Sequence, residues 1–219
     1  MTSQQENATN VRVVCRFRPM NQLEKDMRGE CCVELNDQNI TLNDKNTDNS
    51  ITTHKFAFDK CIPTDTSQEE VFKLIAEPML QHSMKGFNGT IFAYGQTASG
   101  KTHTMEGSGL NDYEGRGIIP RVMDRIFEII DESDENIEFT LKISMLEIYN
   151  EKIQDLVDNK KQNLQIKEDK TKGIFVADAS EVYVNSSEEM KKIMVLGQSN
   201  RSVAATRMNE RSSRSHSIF

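Results

Sequence analysis

The sequence has little of what stabilises a secreted or membrane-embedded chain. It contains no tryptophan, four prolines and four cysteines among 219 residues, and aromatic residues make up 6%. The cysteines form no Cys-x-x-Cys pair and are too few for a disulfide scaffold, so we expect the reducing environment of the cytosol. The longest uncharged run, Gly86 to Gly100, has 15 residues, many of them polar. It is too short and too polar to cross a bilayer.

An excess of basic residues is also missing. Lys and Arg number 27 against 34 Asp and Glu, which leaves a formal net charge of −7. The chain as a whole is therefore repelled by nucleic acid and by anionic lipid, and an anionic partner must be met locally. Met1 to Asn10 has neither a basic start nor an apolar stretch, so we expect a disordered arm and not a secretory signal. With 36% hydrophobic residues, the chain can form one large soluble domain or two small ones.

Short strands and one long helix are predicted before the central glycine-rich loop. Val11 to Phe17 is β-branched and apolar over the length of a strand. Two further β-rich runs, Cys31 to Leu42 and Ile51 to Phe58, flank a polar insert and predict a small hairpin lobe. A Ser-x-x-Glu capping box at Ser67 opens a helix that ends at Gly86.

Strand and helix patterns continue through the loop and beyond it. The apolar run Thr90 to Tyr94 predicts a strand that leads into Gly95, and a helix can begin at Lys101. The remaining predicted elements are a helix over Ile118 to Ile130, a long strand over Ile137 to Tyr149, a short helix over Asn150 to Val157, short strands between Leu164 and Val184, and a helix opened by a capping box at Ser186.

The segment GQTASGKT, Gly95 to Thr102, matches the phosphate-binding pattern G-x-x-x-x-G-K-[ST] at every fixed position. Its glycines let the backbone turn and approach phosphate oxygens, so that successive N–H groups can point at them. Lys101 supplies a positive charge for the terminal phosphates, and the hydroxyl of Thr102 is a suitable ligand for Mg²⁺. The helix that follows adds its positive end.

The motifs that the sequence lacks limit which base the predicted nucleotide carries and which class of enzyme binds it. A guanine reader of the form Asn-Lys-x-Asp is not found, because the nearest string, Asn159 to Gln162, lacks the acid. Guanine is therefore unsupported. A protein kinase would need a different glycine loop and a His-Arg-Asp catalytic loop, and neither is present in the sequence.

Three segments together resemble the kinesin motor domain. They are VCRFRP (Val14 to Pro19), FAYGQTASGKTHTMEG (Phe92 to Gly107) and NERSSRSHSIF (Asn209 to Phe219), in the order and spacing of that family. The strings GIIPR, LEIYNEKIQDLV and SNRSVAATRMNERSSRSH also resemble it, so the likeness runs from about Val11 to the last residue. Within the family the chain is most similar to conventional kinesin heavy chains.

The resemblance implies a site for ATP or ADP. Its phosphate loop consists of Gly95, Gln96, Thr97, Ala98, Ser99, Gly100, Lys101 and Thr102. The resemblance also implies that Arg16, Arg18 and Pro19 flank the adenine, with His103 on its other side. Guanidinium and imidazole groups are compatible with this role, since they offer flat faces to a purine.

The resemblance assigns the first nucleotide switch to Asn209, Ser212, Ser213 and Arg214. It implies that Ser213 approaches Mg²⁺ and the γ-phosphate, while Asn209 and Ser212 position the phosphate and the attacking water. Hydroxyls suit this task because they donate to phosphate oxygens, ligate Mg²⁺ and orient water without adding charge. In the family, Arg214 pairs with a glutamate of the second switch.

The second switch itself, an Asp-x-x-Gly-x-Glu string, is not found in this sequence. The resemblance therefore covers the N-terminal part of a motor domain, over residues 11–219, without the principal microtubule-binding helix or the neck linker. We expect these residues alone to be deficient in turnover. The basic turn with Lys167, Lys170 and Lys172 occupies the position where kinesins touch tubulin.

We therefore predict an α/β protein with the three-layer P-loop nucleoside triphosphatase fold, in which a mostly parallel central sheet lies between helices. The predicted function is that of a microtubule motor in the cytoplasm that hydrolyses MgATP, from a parent protein that forms a homodimer through other regions. The alternative is a nucleotide-binding or microtubule-binding module without turnover. Intact Lys101, Thr102 and Ser213 argue against a degenerate parent.

Overall fold

The computed structural model describes residues 11–46, 48, 50–171, 173–206 and 214–219, without the side chains of residues 203–206. The predicted arm, Met1 to Asn10, lies outside them. The helices are α1 (Gln22–Asp26), α2 (Gln68–Met84), α3 (Lys101–Met105), α4 (Ile118–Asp131) and α5 (Ser187–Thr206). Within the described residues, no helix has the length and apolar character needed to cross a membrane.

The strands are short and fall into five small sheets among the described residues. They are β1 (Val14–Arg16), β2 (Val33–Leu35), β3 (Asn39–Lys45), β4 (Ile51–Ala57), β5 (Lys60–Ile62), β6 (Leu141–Ile143), β7 (Leu146–Tyr149), β8 (Lys152–Asp155), β9 (Gln162–Leu164), β10 (Ile166–Asp169), β11 (Gly173–Val176), β12 (Val182–Val184) and β13 (His216–Ile218). The sheet orders are β1-β5, β2-β3-β4, β12-β6, β10-β11 and β13-β7-β8-β9. The predicted hairpin lobe is the β3–β4 hairpin, which β2 extends on one side.

The directions of the paired strands differ from those predicted for a mostly parallel central sheet. Of the described strand pairs, β1–β5 runs parallel and the others run antiparallel. The predicted strand over Thr90 to Tyr94 is not formed among the described residues, and Phe92 and Tyr94 are 78% and 94% exposed. Hairpins close between neighbouring segments, whereas a parallel ladder needs a distant segment as its partner. The apolar run Thr90 to Tyr94 therefore did not by itself specify a partner strand, and none pairs with it among the described residues.

Two apolar clusters form the core, and α4 contributes to both. One cluster joins β5, α2 and the start of α4 through Ile62, Val71, Phe72, Ala76 and Ile118. The other joins α4, β6, β12 and α5 through Met123, Ile143, Met145, Leu156, Val184, Met190 and Met194. The predicted helical stripe over Ile118 to Ile130 is thus confirmed as a helix that packs on two sides.

The start of α2 matches the predicted capping box. The side chain of Ser67 accepts a hydrogen bond from the backbone N–H of Glu70, and the Glu70 carboxylate accepts one from the N–H of Ser67 at 2.9 Å. These bonds satisfy donors that the first turn of a helix otherwise leaves unpaired. They also fix the position of Gln68, the first helical residue, whose side chain is buried against α3.

The prediction for the region from Ile137 to Val157 is wrong in two respects. The expected long strand is divided into β6 and β7, and the expected short helix over Asn150 to Val157 contains β8 instead. Tyr149 pairs with Lys152, and the two-residue turn between them consists of Asn150 and Glu151. These turn residues have positive φ values of 49° and 59°. Such a turn matches the twist of a β-hairpin, so the chain folds back on β7 before a helix can begin.

Replacing Glu151 by Gly distinguishes a hairpin turn from a helix. The left-handed conformation is unfavourable for an L-residue but not for glycine, so the free energy of unfolding in urea should rise by about 0.5 kcal/mol. If Glu151 lay in a helix, the glycine variant would instead have a free energy of unfolding about 1 kcal/mol below that of an alanine variant. Glu151→Ala is the control, because alanine is no better suited to positive φ. A loss of stability confined to the glycine variant would contradict the hairpin.

Candidate functional site

The loop before α3 has the backbone shape that the phosphate-binding pattern requires. Gly95, Ala98 and Gly100 have φ values of 153°, 66° and 98°. A Cβ atom added at Gly95 would lie 2.5 Å from Oγ of Ser99, so glycine is needed there for space as well as for conformation. The loop therefore follows a path on which its N–H groups, rather than side chains, can approach an anion.

Lys101 lies folded over this loop. Its Nζ donates to the carbonyl oxygens of Gly95 and Gln96 at 2.7 and 2.8 Å, and the side chain is half-buried. An ammonium group has three donors, so these bonds leave one for a phosphate oxygen. The helix α3 has only five residues. Its dipole is therefore smaller than the sequence suggested, and the positive charge at the loop comes mainly from Lys101.

Arg18 supports the loop from the side. Its Nε donates to the carbonyl of Ala98 at 2.9 Å, while its two terminal nitrogens bond the Glu24 carboxylate at 2.8 and 2.5 Å. Glu24 is itself fixed because it forms a capping box with Asn21 at the start of α1. The hydrogen bonds from Arg18, and then that from the Asn21 backbone, lower the pKa of Glu24 to about 2. The pair is thus ionised throughout the neutral range and holds Ala98 in its left-handed conformation.

Gln68 connects Arg16 to the far side of α3. Arg16 Nη1 donates to Gln68 Oε1 at 2.8 Å and to Oγ1 of Thr104 at 3.0 Å. The amide nitrogen of Gln68 donates to the carbonyl of His103 at 2.6 Å and lies 3.3 Å from its Nδ1. Gln68 is only 7% exposed. One buried amide thus sets the positions of two residues that were predicted to contact the base.

Arg16 and His103 affect each other electrostatically. Partial burial of the imidazole, and then the positive charge of Arg16, lower the pKa of His103 below its ordinary value of 6.5. Burial likewise lowers the pKa of Arg16, which nevertheless stays protonated at neutral pH. The site therefore combines a cationic guanidinium with a neutral imidazole.

The structure brings together the residues predicted for the loop and its surroundings. Lys101 and Thr102 are the first two residues of α3. Thr102 is exposed, as a residue that binds Mg²⁺ must be. Arg16, Arg18 and Pro19 lie at the end of β1 and beyond it, next to this loop. Mg²⁺ is commonly held by one or two protein groups together with phosphate oxygens and water. The hydroxyl of Thr102 therefore fits that ion, and the base-flanking roles stay predictions.

The segment predicted to form the first switch and the basic turn predicted to touch tubulin are described only in part. Asn209, Ser212, Ser213 and Lys172 lie outside the described residues. Arg214 is described and exposed, directly before Ser215 and β13. Lys167 and Lys170 are exposed on the hairpin of β10 and β11, as predicted for a basic turn.

Three structural partners were missed in the sequence. Glu24 could have been found from the Asn-x-x-Glu spacing that starts at Asn21, which is a capping-box pattern. Glu147 continues the alternation of Ile143 and Met145, so a carboxylate was to be expected on the core side. Gln68 gave no such signal, because a polar residue in the first turn of a helix is ordinary.

Comparisons with known proteins agree with this site. Residues 16–219 match the family model of the kinesin motor domain. The chain is 46% identical over 217 residues to kinesin-related protein 3 of Dictyostelium discoideum, covering 96% of this chain and 18% of that protein. It is 47% identical over 210 residues to the kinesin-1 heavy chain of Homo sapiens, covering 96% and 21%. The chain thus spans about a fifth of the length of the curated relatives it matches.

A solved structure of a fast kinesin is similar to the whole described fold. It has a TM-score of 0.88 and 39% sequence identity, over 94% of this chain and 57% of that one. That work concerns the ATPase mechanism of the fast kinesin and its interactions with microtubules. The similarity confirms the P-loop fold predicted from the sequence.

The lowered pKa of His103 can be measured. An NMR titration should give a value below 6.5, and Arg16→Gln should raise it, because the nearby positive charge is removed. Since the unfolded chain binds this proton more readily, the free energy of unfolding should fall as pH falls from about 6.5 through the lower folded pKa. The His103→Gln variant should lack this part of the pH dependence. A titration at or above 6.5 would contradict the arrangement.

Proposed function

Because the chain belongs to the family of kinesin motor domains, we propose that it provides the nucleotide site of a motor that hydrolyses MgATP and moves along microtubules. The observation that carries the proposal is the loop from Gly95 to Thr102. This loop has left-handed backbone at three residues, and the half-buried Lys101 side chain folds back to bond the carbonyl of Gly95. Arg18 bonds the carbonyl of Ala98 from outside the loop. A tight turn can also use left-handed residues, but it needs neither the lysine nor the arginine.

The proposed reaction is phosphoryl transfer from ATP to water. The oxygen of a water molecule forms a bond to the γ-phosphorus, the bond to the β,γ-bridging oxygen breaks, and ADP and phosphate leave. Lys101 and the loop N–H groups compensate the negative charge on the phosphates, which is the main catalytic contribution available in this class. In this proposal Thr102 and Ser213 hold Mg²⁺, which neutralises charge on the phosphate oxygens when it is bound.

The switch residues complete the proposed machinery. Asn209 and Ser212 orient the phosphate and the water, and Arg214 closes the switch by pairing with a glutamate of the second switch. Arg16, Arg18, Pro19 and His103 contact the adenine. The neutral imidazole of His103 supports this role, since an uncharged flat ring packs on a purine without a desolvated charge.

The proposed track is the microtubule, and a local basic surface supports it. The hairpin of β10 and β11 exposes Lys167 and Lys170, and Lys172 lies two residues after Lys170 in the sequence of a chain whose net charge is −7. Three lysines against Glu168 and Asp169 leave this segment with a small positive charge, which suits an acidic filament. We propose a cytoplasmic, cytoskeletal location and a homodimeric parent protein, by analogy with the heavy chains among its relatives.

Lys101→Ala tests the nucleotide site. Loss of a charge-assisted contact to phosphate should weaken the binding of a fluorescent ATP analogue in the presence of Mg²⁺ by about 10- to 100-fold. Thermal unfolding should change little, because the side chain is part of no apolar cluster. Lys73→Ala is the matched control, since Lys73 pairs with Glu69 on the surface of α2. Unchanged affinity in the Lys101 variant would refute the assignment.

The basic hairpin can be tested in a protein that contains the complete motor domain. Replacing Lys167, Lys170 and Lys172 together by Ala should weaken co-sedimentation with microtubules by roughly three- to tenfold, since each exposed ion pair contributes little. The dependence of binding on salt should also decrease. The control replaces Lys45 and Lys55, which are exposed on β3 and β4. If both variants bind alike, the hairpin is only a solvated loop.

A further inference from the structure

Glu147 on β7 is a carboxylate that the proposed reaction does not use, yet it is 0% exposed. Its Oε1 accepts a hydrogen bond from Oγ of Ser215 at 2.6 Å and lies 3.4 Å from Nε of Arg201. Its Oε2 accepts one from the side chain of Gln154 on β8, also at 2.6 Å. A charge buried this deeply is stable only where such partners surround it.

The two partners on Oε1 come from opposite ends of one segment. Arg201 belongs to the last turns of α5, and Ser215 precedes β13. Arg201 also donates from Nη2 to Oγ of Ser215 at 3.3 Å. The residues between them in sequence include those proposed for the switch, from Asn209 to Arg214. One buried carboxylate therefore ties together both flanks of the segment that contains the switch.

We propose that Glu147 is a positioning residue that fixes the separation of these two flanks and thereby slows the release of bound nucleotide. The inference rests on the proposed function, because it takes residues 209–214 as the switch. Glu147 acts through Arg201 and Ser215 and touches no phosphate itself. Loss of its charge leaves Arg201 without this counter-ion, so both flanks lose a common anchor in one step.

The same hairpin supplies a matched control. Asp155 on β8 is 1% exposed. It pairs with Leu146 of β7, which is the residue directly before Glu147. Its carboxylate accepts hydrogen bonds from the backbone N–H groups of Val157, Asp158 and Ser180. The bonds to Val157 and Asp158 hold the loop after β8, where the carbonyl of Leu156 accepts a hydrogen bond from Asn200 on α5 at 2.8 Å. Asp155 therefore also controls for a general loosening of the packing on α5. Asp155→Asn thus removes an equally buried charge from the same hairpin without touching Arg201 or Ser215.

The first experiment measures release of a fluorescent ADP from the 219-residue chain in Mg²⁺. Glu147→Gln keeps the size of the side chain, and it should accelerate release by about fivefold or more, a typical coupling between linked sites. Arg201→Gln should act in the same direction, and the double variant should release ADP no faster than the faster single variant, because the two residues form one unit. Asp155→Asn should stay within about twofold of the unchanged chain.

The second experiment needs no nucleotide. Trypsin can cleave after Arg207, Arg211 and Arg214, which lie between Arg201 and Ser215 in the sequence, and after Lys167 and Lys170 on the separate β10–β11 hairpin. Glu147→Gln should speed cleavage at the three arginines relative to the two lysines, whereas Asp155→Asn should leave that ratio unchanged.

The outcomes separate the two proposals. If the unchanged chain does not bind ADP, the proposed function fails, and the cleavage ratio still decides whether Glu147 anchors the flanks. An unchanged ratio in Glu147→Gln overturns the inference, and so does an equal effect of both variants, which would indicate a purely structural role. ADP binding with unaltered release in Glu147→Gln also overturns it.

Discussion

The left-handed backbone of the phosphate-binding loop is the constraint on which the surrounding structure depends. Two of its three positive-φ residues are glycines, but Ala98 is not, and an L-residue in this conformation costs about 1 kcal/mol. Arg18 compensates for that cost from outside the loop by bonding the Ala98 carbonyl, and Glu24 holds Arg18 in place. The small helix α1 therefore supports the proposed nucleotide site through a single ion pair.

Contacts from this loop continue into the rest of the domain. Gln68 connects β1, α2 and α3, while the Gln198 amide on α5 donates to Glu106 at the end of α3 at 2.9 Å. Asp124 on α4 accepts ion pairs from Arg116 before that helix and from Lys191 on α5, at 2.9 and 2.7 Å. The hydrogen bond between Gln198 and Glu106 joins the helix that begins beside the loop to α5, while the apolar cluster around Met123 joins α4 to α5.

The two buried carboxylates of the β7–β8 hairpin illustrate two uses of buried charge. Asp155 is neutralised by backbone N–H groups that belong to adjoining loops, so it stabilises a local shape. Glu147 is surrounded by side chains from three separate elements, so its charge controls how those elements meet. Side-chain partners can rearrange when a segment moves, whereas backbone partners within a loop move with it. This difference makes Glu147 the better candidate for a link to the switch.

The sequence by itself determined the capping box at Ser67 and the helices α2, α4 and α5, because these depend on residues a few positions apart. The glycine loop before Lys101 has the turn and the helix start that its pattern predicts, while its role in binding phosphate stays a prediction. Family resemblance then supplied the fold, since several such patterns occur in one order. Only the tertiary structure decided that Thr90 to Tyr94 forms no strand, that Asn150 and Glu151 form a hairpin turn, and that Arg18 supports Ala98. Ladder partners and buried polar contacts join residues far apart in the chain, and no local pattern specifies which distant group will arrive.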